Sequence, residues 1–194
     1  MKPKELCFNC LEPSGSEPCP QCGWSTGDLP ENANILPPGS LLQDHLRLAK
    51  SLGQGGFGVT YLAFDETLEI RLAIKEYLPK DSASRSRDAL TITSSSKNQE
   101  DYQYGLQGFL KEARMLAQFQ GHPGIVGVRR FFEENNTAYL VMDFVDGDSL
   151  KKILEDRGGQ LPWKEAAEIM VHVLDALRAL HRVSDSGGEP MLHR

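Results

Sequence analysis

Apolar residues of this chain cluster in short segments from residue 41 onward. Five of these segments predict β-strands, because turn residues bound them and β-branched or aromatic side chains are frequent in them. A glycine-rich stretch, residues 53–58, lies between the first two and predicts a tight turn. The predicted strands cover residues 48–52, 59–64, 70–77, 125–133 and 137–144.

Three further segments have the spacing of helices. Residues 102–119 place four apolar side chains on one face, as a helix does. Ser149 is suited to be the N-cap of a short helix that continues to Glu155. Pro162 is suited to be the first residue of a longer helix. The apolar stripe of that helix comprises Ile169, Val173, Leu177 and Leu180.

The remaining stretches lack this periodicity and predict connections. Residues 25–40 contain three prolines and two glycines among polar residues, which is typical of a linker. Residues 81–98 are rich in Ser and Arg and predict a mobile surface loop, and the polar residues 183–191 predict another surface loop. Residues 1–24 hold all four cysteines and form a region of their own.

Composition and charge narrow the class of protein. The chain has 194 residues, of which 40% are hydrophobic and 25% charged, as in an ordinary globular protein with a real core. Its net charge of -6 argues against a nucleic-acid partner. The first residues lack the apolar core of a signal peptide, and no stretch approaches the roughly 18 to 20 apolar residues of a membrane span. We therefore expect a cytoplasmic protein with no membrane segment in this chain.

The glycine-rich turn has the chemistry of a phosphate site. Glycine has no Cβ, so backbone N–H groups can approach phosphate oxygens closely and form an anion-binding concavity. A dinucleotide-binding fingerprint requires a helix after the last glycine, but Val59-Thr60-Tyr61 predicts a strand. A P-loop requires a closing Gly-Lys-Ser/Thr, which is absent. A plain hairpin with a flexible tip would also fit this pattern.

The cysteines form two C-x-x-C pairs, Cys7 with Cys10 and Cys19 with Cys22. Four thiolates at this spacing can surround one tetrahedral Zn²⁺. A segment of about 25 residues cannot bury a sufficient core, so a metal is expected to order it. Iron in a rubredoxin-like site uses the same ligands. Two disulfides or a redox pair would use the same thiols, and a cytoplasmic location disfavours disulfides.

The glycine-rich segment and the residues after it resemble the protein kinase family. Leu52-Gly53-Gln54-Gly55-Gly56-Phe57-Gly58-Val59-Thr60-Tyr61 followed by Leu72-Ala73-Ile74-Lys75 is similar to the kinase N-lobe, most of all in bacterial Ser/Thr kinases. The resemblance continues through Phe109-Leu110-Lys111-Glu112-Ala113 and His122-Pro123-Gly124-Ile125-Val126. It then includes Tyr139 to Gly147 and Leu192-His193-Arg194, which resembles the start of the catalytic loop.

This resemblance implies an α+β fold. Residues 41–194 would be an incomplete kinase domain, with an N-lobe of antiparallel sheet plus one helix to about residue 145 and the first C-lobe helices in 146–194. Residues 25–40 would be the linker. Residues 1–24 resemble the small zinc ribbons found ahead of some bacterial kinases, with a structural or protein-docking role.

The resemblance also implies roles for individual residues. Lys75 would hold the α- and β-phosphates of ATP, and Glu112 would orient Lys75 through an ion pair. Thr60 stands in the adenine roof, where the family commonly has Val. Met142 would be the gatekeeper, and the base would bond to the Asp143 carbonyl and the Val145 backbone. The other ATP-binding residues would be Leu52 and Ala73 at the adenine and Gly53, Gln54, Gly55, Gly56, Phe57 and Gly58 over the phosphates.

The family's catalytic Asp, its Asn and its Asp-Phe-Gly come after the position of Arg194, and so do the Mg²⁺ ligands. We therefore expect a parent Ser/Thr kinase that transfers the ATP γ-phosphate to protein hydroxyls, whereas this chain alone is expected to be inactive and poorly soluble. A nucleotide-binding pseudokinase or scaffold with a zinc-ribbon docking module is the alternative. In a third hypothesis the zinc ribbon is a binding module that carries the function, and the kinase lobe is a passenger.

Overall fold

The computed structural model describes residues 6–30, 32–85, 90–94 and 98–182. The chain divides into two compact units. The first comprises Met1–Gln118 and Val128–Phe144, and the second Phe119–Gly127 and Val145–Arg194. The predicted surface loop 183–191 and the Leu192-His193-Arg194 motif lie outside the described residues.

The first unit is built on an antiparallel sheet. The described strands are β1 (Leu41–Leu42), β2 (Leu46–Gln54), β3 (Gly58–Asp65), β4 (Ile70–Tyr77), β5 (Ala83–Ser84), β6 (Thr93–Ser94), β7 (Val128–Glu134) and β8 (Thr137–Asp143). Six of them form the main sheet in the order β1-β2-β3-β4-β8-β7. All five predicted strands are present, although the first begins two residues earlier and the fourth three residues later than predicted.

Helix α1 (Gln99–Leu116) packs on this sheet and continues as a 3₁₀ turn, Ala117–Phe119. Its buried residues recur at three- and four-residue intervals, so they lie on one face of the helix. Tyr77 of β4 contacts two of them, with ring centres 5.3 Å from Tyr102 and 5.6 Å from Phe109. The full buried set is Tyr102, Leu106, Phe109, Leu110 and Ala113.

The segment between β4 and α1 is not the mobile surface loop that its composition predicted, as far as the structure describes it. Strands β5 and β6 pair with each other, and Ile92 is fully buried in the core. The Ile92 N–H donates to the Asn135 carbonyl over 2.9 Å, and Asn136 Nδ2 donates to the Ile92 carbonyl over 2.9 Å. The prediction was wrong because a few buried residues, Ala83, Arg85 and Ile92, fix the segment despite its polar composition.

The second unit contains helices α2 (Leu150–Asp156) and α3 (Trp163–His181). The N-cap predicted at Ser149 is confirmed, since the Lys152 N–H donates to Ser149 Oγ over 3.2 Å. Helix α3 begins one residue after the predicted Pro162, which serves as its N-cap. None of the residues of α3, all of which are described, is buried, and Val173 of the predicted stripe is 43% exposed.

None of the helices within the described ranges has both the length and the apolar character needed to cross a membrane.

Candidate nucleotide site and candidate metal centre

The glycine-rich lid (residues 53–58) forms the turn between β2 and β3. The Gly55 N–H donates to the Gly58 carbonyl over 2.9 Å, which closes the turn. Added Cβ atoms at Gly53, Gly55 and Gly56 would meet nothing within 4 Å, so this part of the lid is open to a ligand. A Cβ at Gly58 would lie 1.8 Å from the Glu76 carbonyl oxygen, so β3 can approach β4 here only with glycine.

The segment after β4 holds the lid from the other side. The Leu78 N–H donates to the Phe57 carbonyl over 3.0 Å, and the Lys80 N–H donates to the Gly56 carbonyl over 3.3 Å. The Phe57 side chain at the tip remains 74% exposed. The backbone of the lid is therefore anchored while its tip faces solvent.

Lys75 lies on β4, in register with Thr60 of β3 and Leu140 of β8. Its Nζ lies 3.6 Å from Glu112 Oε1 of α1 and 5.6 Å from the centre of the Phe109 ring. The two charged side chains are 31% and 49% exposed. The ammonium group of Lys75 therefore has a carboxylate partner and remains accessible to a ligand.

The residues predicted to bind adenine are divided between the two units. Ala73, 8% exposed, pairs in register with Leu62 and with Met142. Because strand residues alternate between faces, Ala73 and Lys75 share one face of the sheet. Asp143 Oδ1 accepts a bond from Arg129 Nε over 2.6 Å, and Leu52 is 43% exposed. Val145 belongs to the second unit and is 72% exposed.

A buried ionic network beside this site was missed by the sequence reasoning. Glu76 Oε1 accepts bonds from Arg85 Nη2 over 2.5 Å and from the Tyr139 hydroxyl over 2.8 Å. Glu76 Oε2 accepts a bond from the Tyr61 hydroxyl over 3.0 Å. Burial, together with the Glu76 carboxylate, raises the pKa of both tyrosines far above its ordinary value, so both hydroxyls keep the protons that they donate.

A signal for this network was present in the sequence. Strand alternation places Glu76 on the same face as Leu72 and Ile74, which are apolar. A carboxylate on an apolar face is expected to have a partner, because an unpaired buried charge is costly. The partner Arg85 could not be identified because it lies in the segment that its composition made look mobile.

The four cysteines come together in the first unit. Their Sγ atoms all lie within 4.8 Å of one another, and none is in a disulfide. Cys7 Sγ lies 3.7 Å from Cys22 Sγ, and Cys10 Sγ lies 3.8 Å from Cys19 Sγ. Disulfide sulfurs are separated by about 2.05 Å, so these distances do not fit disulfide bonds.

The same distances fit a tetrahedral metal. Four sulfurs at about 2.3 Å from a zinc ion are separated from one another by about 3.8 Å. The Asn9 N–H lies 3.4 Å from Cys7 Sγ, and Asn9 Nδ2 lies 3.6 Å from Cys22 Sγ, so both can donate to thiolates. Burial raises the pKa of Cys10 to about 12. The donor set therefore fits zinc.

The cysteine segment (residues 6–24) is fastened to the sheet. Arg71 Nη2 of β4 donates to the Leu11 carbonyl and to Glu12 Oε1, both over 2.8 Å. The Lys50 N–H of β2 donates to the Asn9 carbonyl over 2.9 Å. The Leu11 side chain is 1% exposed in a cluster with the sheet residues Ala49, Leu62 and Phe64. The segment and the sheet are therefore one packed body.

Known proteins resemble this chain over most of its length. The protein kinase domain family matches residues 46–194. Serine/threonine-protein kinase PknG of Mycolicibacterium smegmatis is 32% identical over 195 residues, which cover 93% of this chain and 22% of the relative. Serine/threonine-protein kinase PknD of Protochlamydia amoebophila is 35% identical over 136 residues, which cover 70% of this chain and 11% of the relative.

A solved structure described as the PpkA-294 apo form superposes with a TM-score of 0.71 at 32% identity, covering 82% of this chain and 60% of that chain. The chain spans 22% and 11% of the length of the two curated relatives. The matched family, the α+β fold with its antiparallel sheet and the kinase relatives agree with one another. The chain belongs to the protein kinase domain family.

Proposed function

We propose that this chain carries the ATP-binding part of a Ser/Thr protein kinase that transfers the γ-phosphate of ATP to protein hydroxyls. The observation that carries the proposal is the distance of 3.6 Å between Lys75 Nζ on β4 and Glu112 Oε1 on α1. The open glycine-rich lid lies at the end of β3, the strand next to β4. Phosphoryl transfer depends on positioning and on charge stabilisation, and a paired lysine beside backbone N–H donors provides both.

In this proposal Lys75 binds the α- and β-phosphates, and Glu112 holds the lysine side chain in place. The lid covers the phosphates with the backbone of residues 53–58. Gly53, Gly55 and Gly56 leave the space that the phosphate oxygens require. The anchoring of the lid backbone at Leu78 and Lys80 limits its movement toward the sheet.

The adenine base would contact Leu52, Thr60 and Ala73, with Met142 as gatekeeper. The Asp143 carbonyl and the Val145 backbone would bond to the base. Supporting this, Ala73 shares a face of the sheet with Lys75, so base and phosphates would lie along one surface. Mg²⁺ would accompany ATP, as it does in protein kinases, and would neutralise charge on the phosphates.

We also propose that Cys7, Cys10, Cys19 and Cys22 hold one Zn²⁺ that orders the cysteine segment. Reduced thiols suit a cytoplasmic location, which we propose as well. Metal analysis of the purified protein should give one zinc per chain, and Cys19→Ser should reduce this value. Iron in place of zinc would contradict the choice of metal.

Calorimetric titration with ATP tests the nucleotide proposal. Lys75→Met should weaken ATP binding about 10- to 100-fold, because charge-assisted bonds to the phosphates contribute about 1.5–3 kcal/mol. Lys50→Met is the matched control, since Lys50 is exposed on β2, a strand of the same sheet that is separated from β4 by β3. Equal affinity in all three proteins would contradict the proposal. In the whole protein, phosphorylation of a protein substrate should disappear in Lys75→Met.

A further inference from the structure

The ion pair between Arg85 and Glu76 is among the most buried contacts of the described residues. The Arg85 side chain is 2% exposed and that of Glu76 is fully buried. Burial lowers the pKa of Arg85, but the Glu76 carboxylate raises it by more, so the guanidinium remains charged. Arg85 Nε and Nη1 are buried without a hydrogen-bond partner in the described part of the chain, which leaves Glu76 as the side-chain partner of the guanidinium there.

A buried ion pair of this kind contributes little to the free energy of unfolding. Desolvating two charges costs about as much as their attraction returns, and well-packed apolar residues often replace a buried pair without loss. A buried pair does fix relative position, because neither charge tolerates separation from the other. The question is therefore which parts of the molecule this pair holds in place.

One part is the strand that carries Lys75. Glu76 directly follows Lys75 on β4, so the two side chains lie on opposite faces of the sheet. Lys75 faces Glu112 while Glu76 faces Arg85, Tyr61 and Tyr139. A displacement of the Glu76 backbone is transmitted to Lys75 through the peptide bond that joins them.

The other part is the strap (residues 32–36), which lies in the stretch predicted to be a linker. The Arg85 N–H donates to Asn34 Oδ1 over 2.8 Å, and the Leu36 N–H donates to the Tyr61 hydroxyl over 3.1 Å. Leu36 is 1% exposed. Asn32 Nδ2 donates to Gln54 Oε1 of the glycine-rich lid over 3.0 Å. The strap therefore links the backbone of Arg85, and the Tyr61 hydroxyl that bonds to Glu76, to the lid.

We propose that Arg85 is a positioning residue of the nucleotide site: its ion pair with Glu76 fixes the strand that carries Lys75, and the strap extends this constraint to the lid at Gln54. The inference rests on the proposed binding of ATP. Arg85 touches no ligand in this proposal. It acts on the lid and on the end of β4 that carries Lys75, and we expect a smaller effect at Ala73, three positions from Glu76 on the same strand.

The proposal therefore predicts a larger effect on phosphate binding than on adenine binding, and the test compares the two. The variant is the double substitution Glu76→Gln with Arg85→Met, in which the glutamine carbonyl can accept from the Tyr139 hydroxyl, while the Tyr61 hydroxyl changes from donor to acceptor of the glutamine amide. The buried charges are removed together, so we expect folding to be retained even where Arg85→Met alone fails to fold, and the melting temperature of the double variant checks this. Arg157→Met, which removes the exposed ion pair between Arg157 Nη1 and both carboxylate oxygens of Glu165, is the matched control.

Dissociation constants are measured for ATP and for adenosine, which has no phosphates. We expect the double variant to bind ATP about tenfold more weakly, the equivalent of one misplaced charge-assisted bond, with adenosine affinity within about twofold of the wild type. The control variant Arg157→Met should change neither dissociation constant. An unchanged ratio of the two dissociation constants in the double variant would overturn the positioning role. A wild type that binds adenosine and ATP equally would instead overturn the proposed phosphate site.

Discussion

Lys75 Nζ on strand β4 and Glu112 Oε1 on helix α1 lie 3.6 Å apart, although 37 positions separate them in the sequence (112 − 75). The Tyr77 ring of the same strand packs against Tyr102 and Phe109 of α1. The ion pair is thus supported by apolar packing between the same two elements. Because the pair itself is partly exposed, its contribution to function and its contribution to stability can be separated.

Glu112→Gln should weaken ATP binding with little effect on stability. The two side chains are 31% and 49% exposed, and exposed pairs contribute about 0–1 kcal/mol to folding. Without the carboxylate, Lys75 loses the partner that orients it, and ATP affinity should fall about three- to tenfold. Calorimetry and urea unfolding measure the two effects. A loss of more than about 2 kcal/mol in the free energy of unfolding would show that the pair is structural.

Gly58→Ala should destabilise the first unit, whereas Gly55→Ala should not. The new Cβ at Gly58 would lie 1.8 Å from the Glu76 carbonyl, a backbone atom that cannot move alone, so we expect a loss of about 1–3 kcal/mol. At Gly55 nothing lies within 4 Å, so stability should change by less than about 1 kcal/mol while ATP binding weakens. Equal melting temperatures of the two variants would contradict the close approach of β3 to β4.

Removal of the metal should unfold the cysteine segment and leave the sheet folded. Zinc coordination supplies much of the folding free energy of such small segments. After treatment with a chelator, hydrogen exchange should accelerate in residues 6–24 and remain slow in β3 and β4. Return of protection on addition of zinc is the control. Unchanged exchange in residues 6–24 would show that packing on the sheet is sufficient.

Leu11→Ala should destabilise the protein by about 2–4 kcal/mol, because a fully buried leucine leaves a cavity when it is truncated. Leu11 is 1% exposed against Ala49, Leu62 and Phe64, so the loss would be shared by the cysteine segment and the sheet. Leu68→Ala is the control, since Leu68 is 59% exposed and should cost less than about 0.5 kcal/mol. Similar losses in both variants would contradict the packed interface.

The sequence predicted those features that depend only on residues close to one another along the chain. The glycine lid, the strand with Lys75 and the cysteine pairs are each contained in a few neighbouring residues, and the structure has the lid between two strands and the thiols in one cluster. Helix α1 was predicted over 102–119 and extends over Gln99–Leu116, because the apolar spacing identifies a face and not the ends of a helix.

The position of Glu76 on an apolar strand face indicated that it has a partner, but the partners themselves could not be identified from the sequence. Glu76 meets Arg85 nine positions later and Tyr139 63 positions later. The strap was equally hidden, since prolines and polar residues indicated a linker and gave no sign that Leu36 would be buried. Such contacts depend on the three-dimensional packing of the sheet, which local patterns do not encode. The predicted domain boundaries and the individual ATP-binding roles remain predictions.

The most direct test of the ATP site is covalent labelling with an acyl phosphate ester of ATP. In this reagent a lysine amine held beside the phosphates attacks the acyl carbonyl, an amide forms, and ATP leaves. Mass spectrometry then identifies the acylated lysine. We expect labelling at Lys75, suppressed by excess ATP and unaffected by adenosine at concentrations that do not saturate the site. Labelling spread over exposed lysines such as Lys50 and Lys80, and insensitive to ATP, would contradict the proposed site.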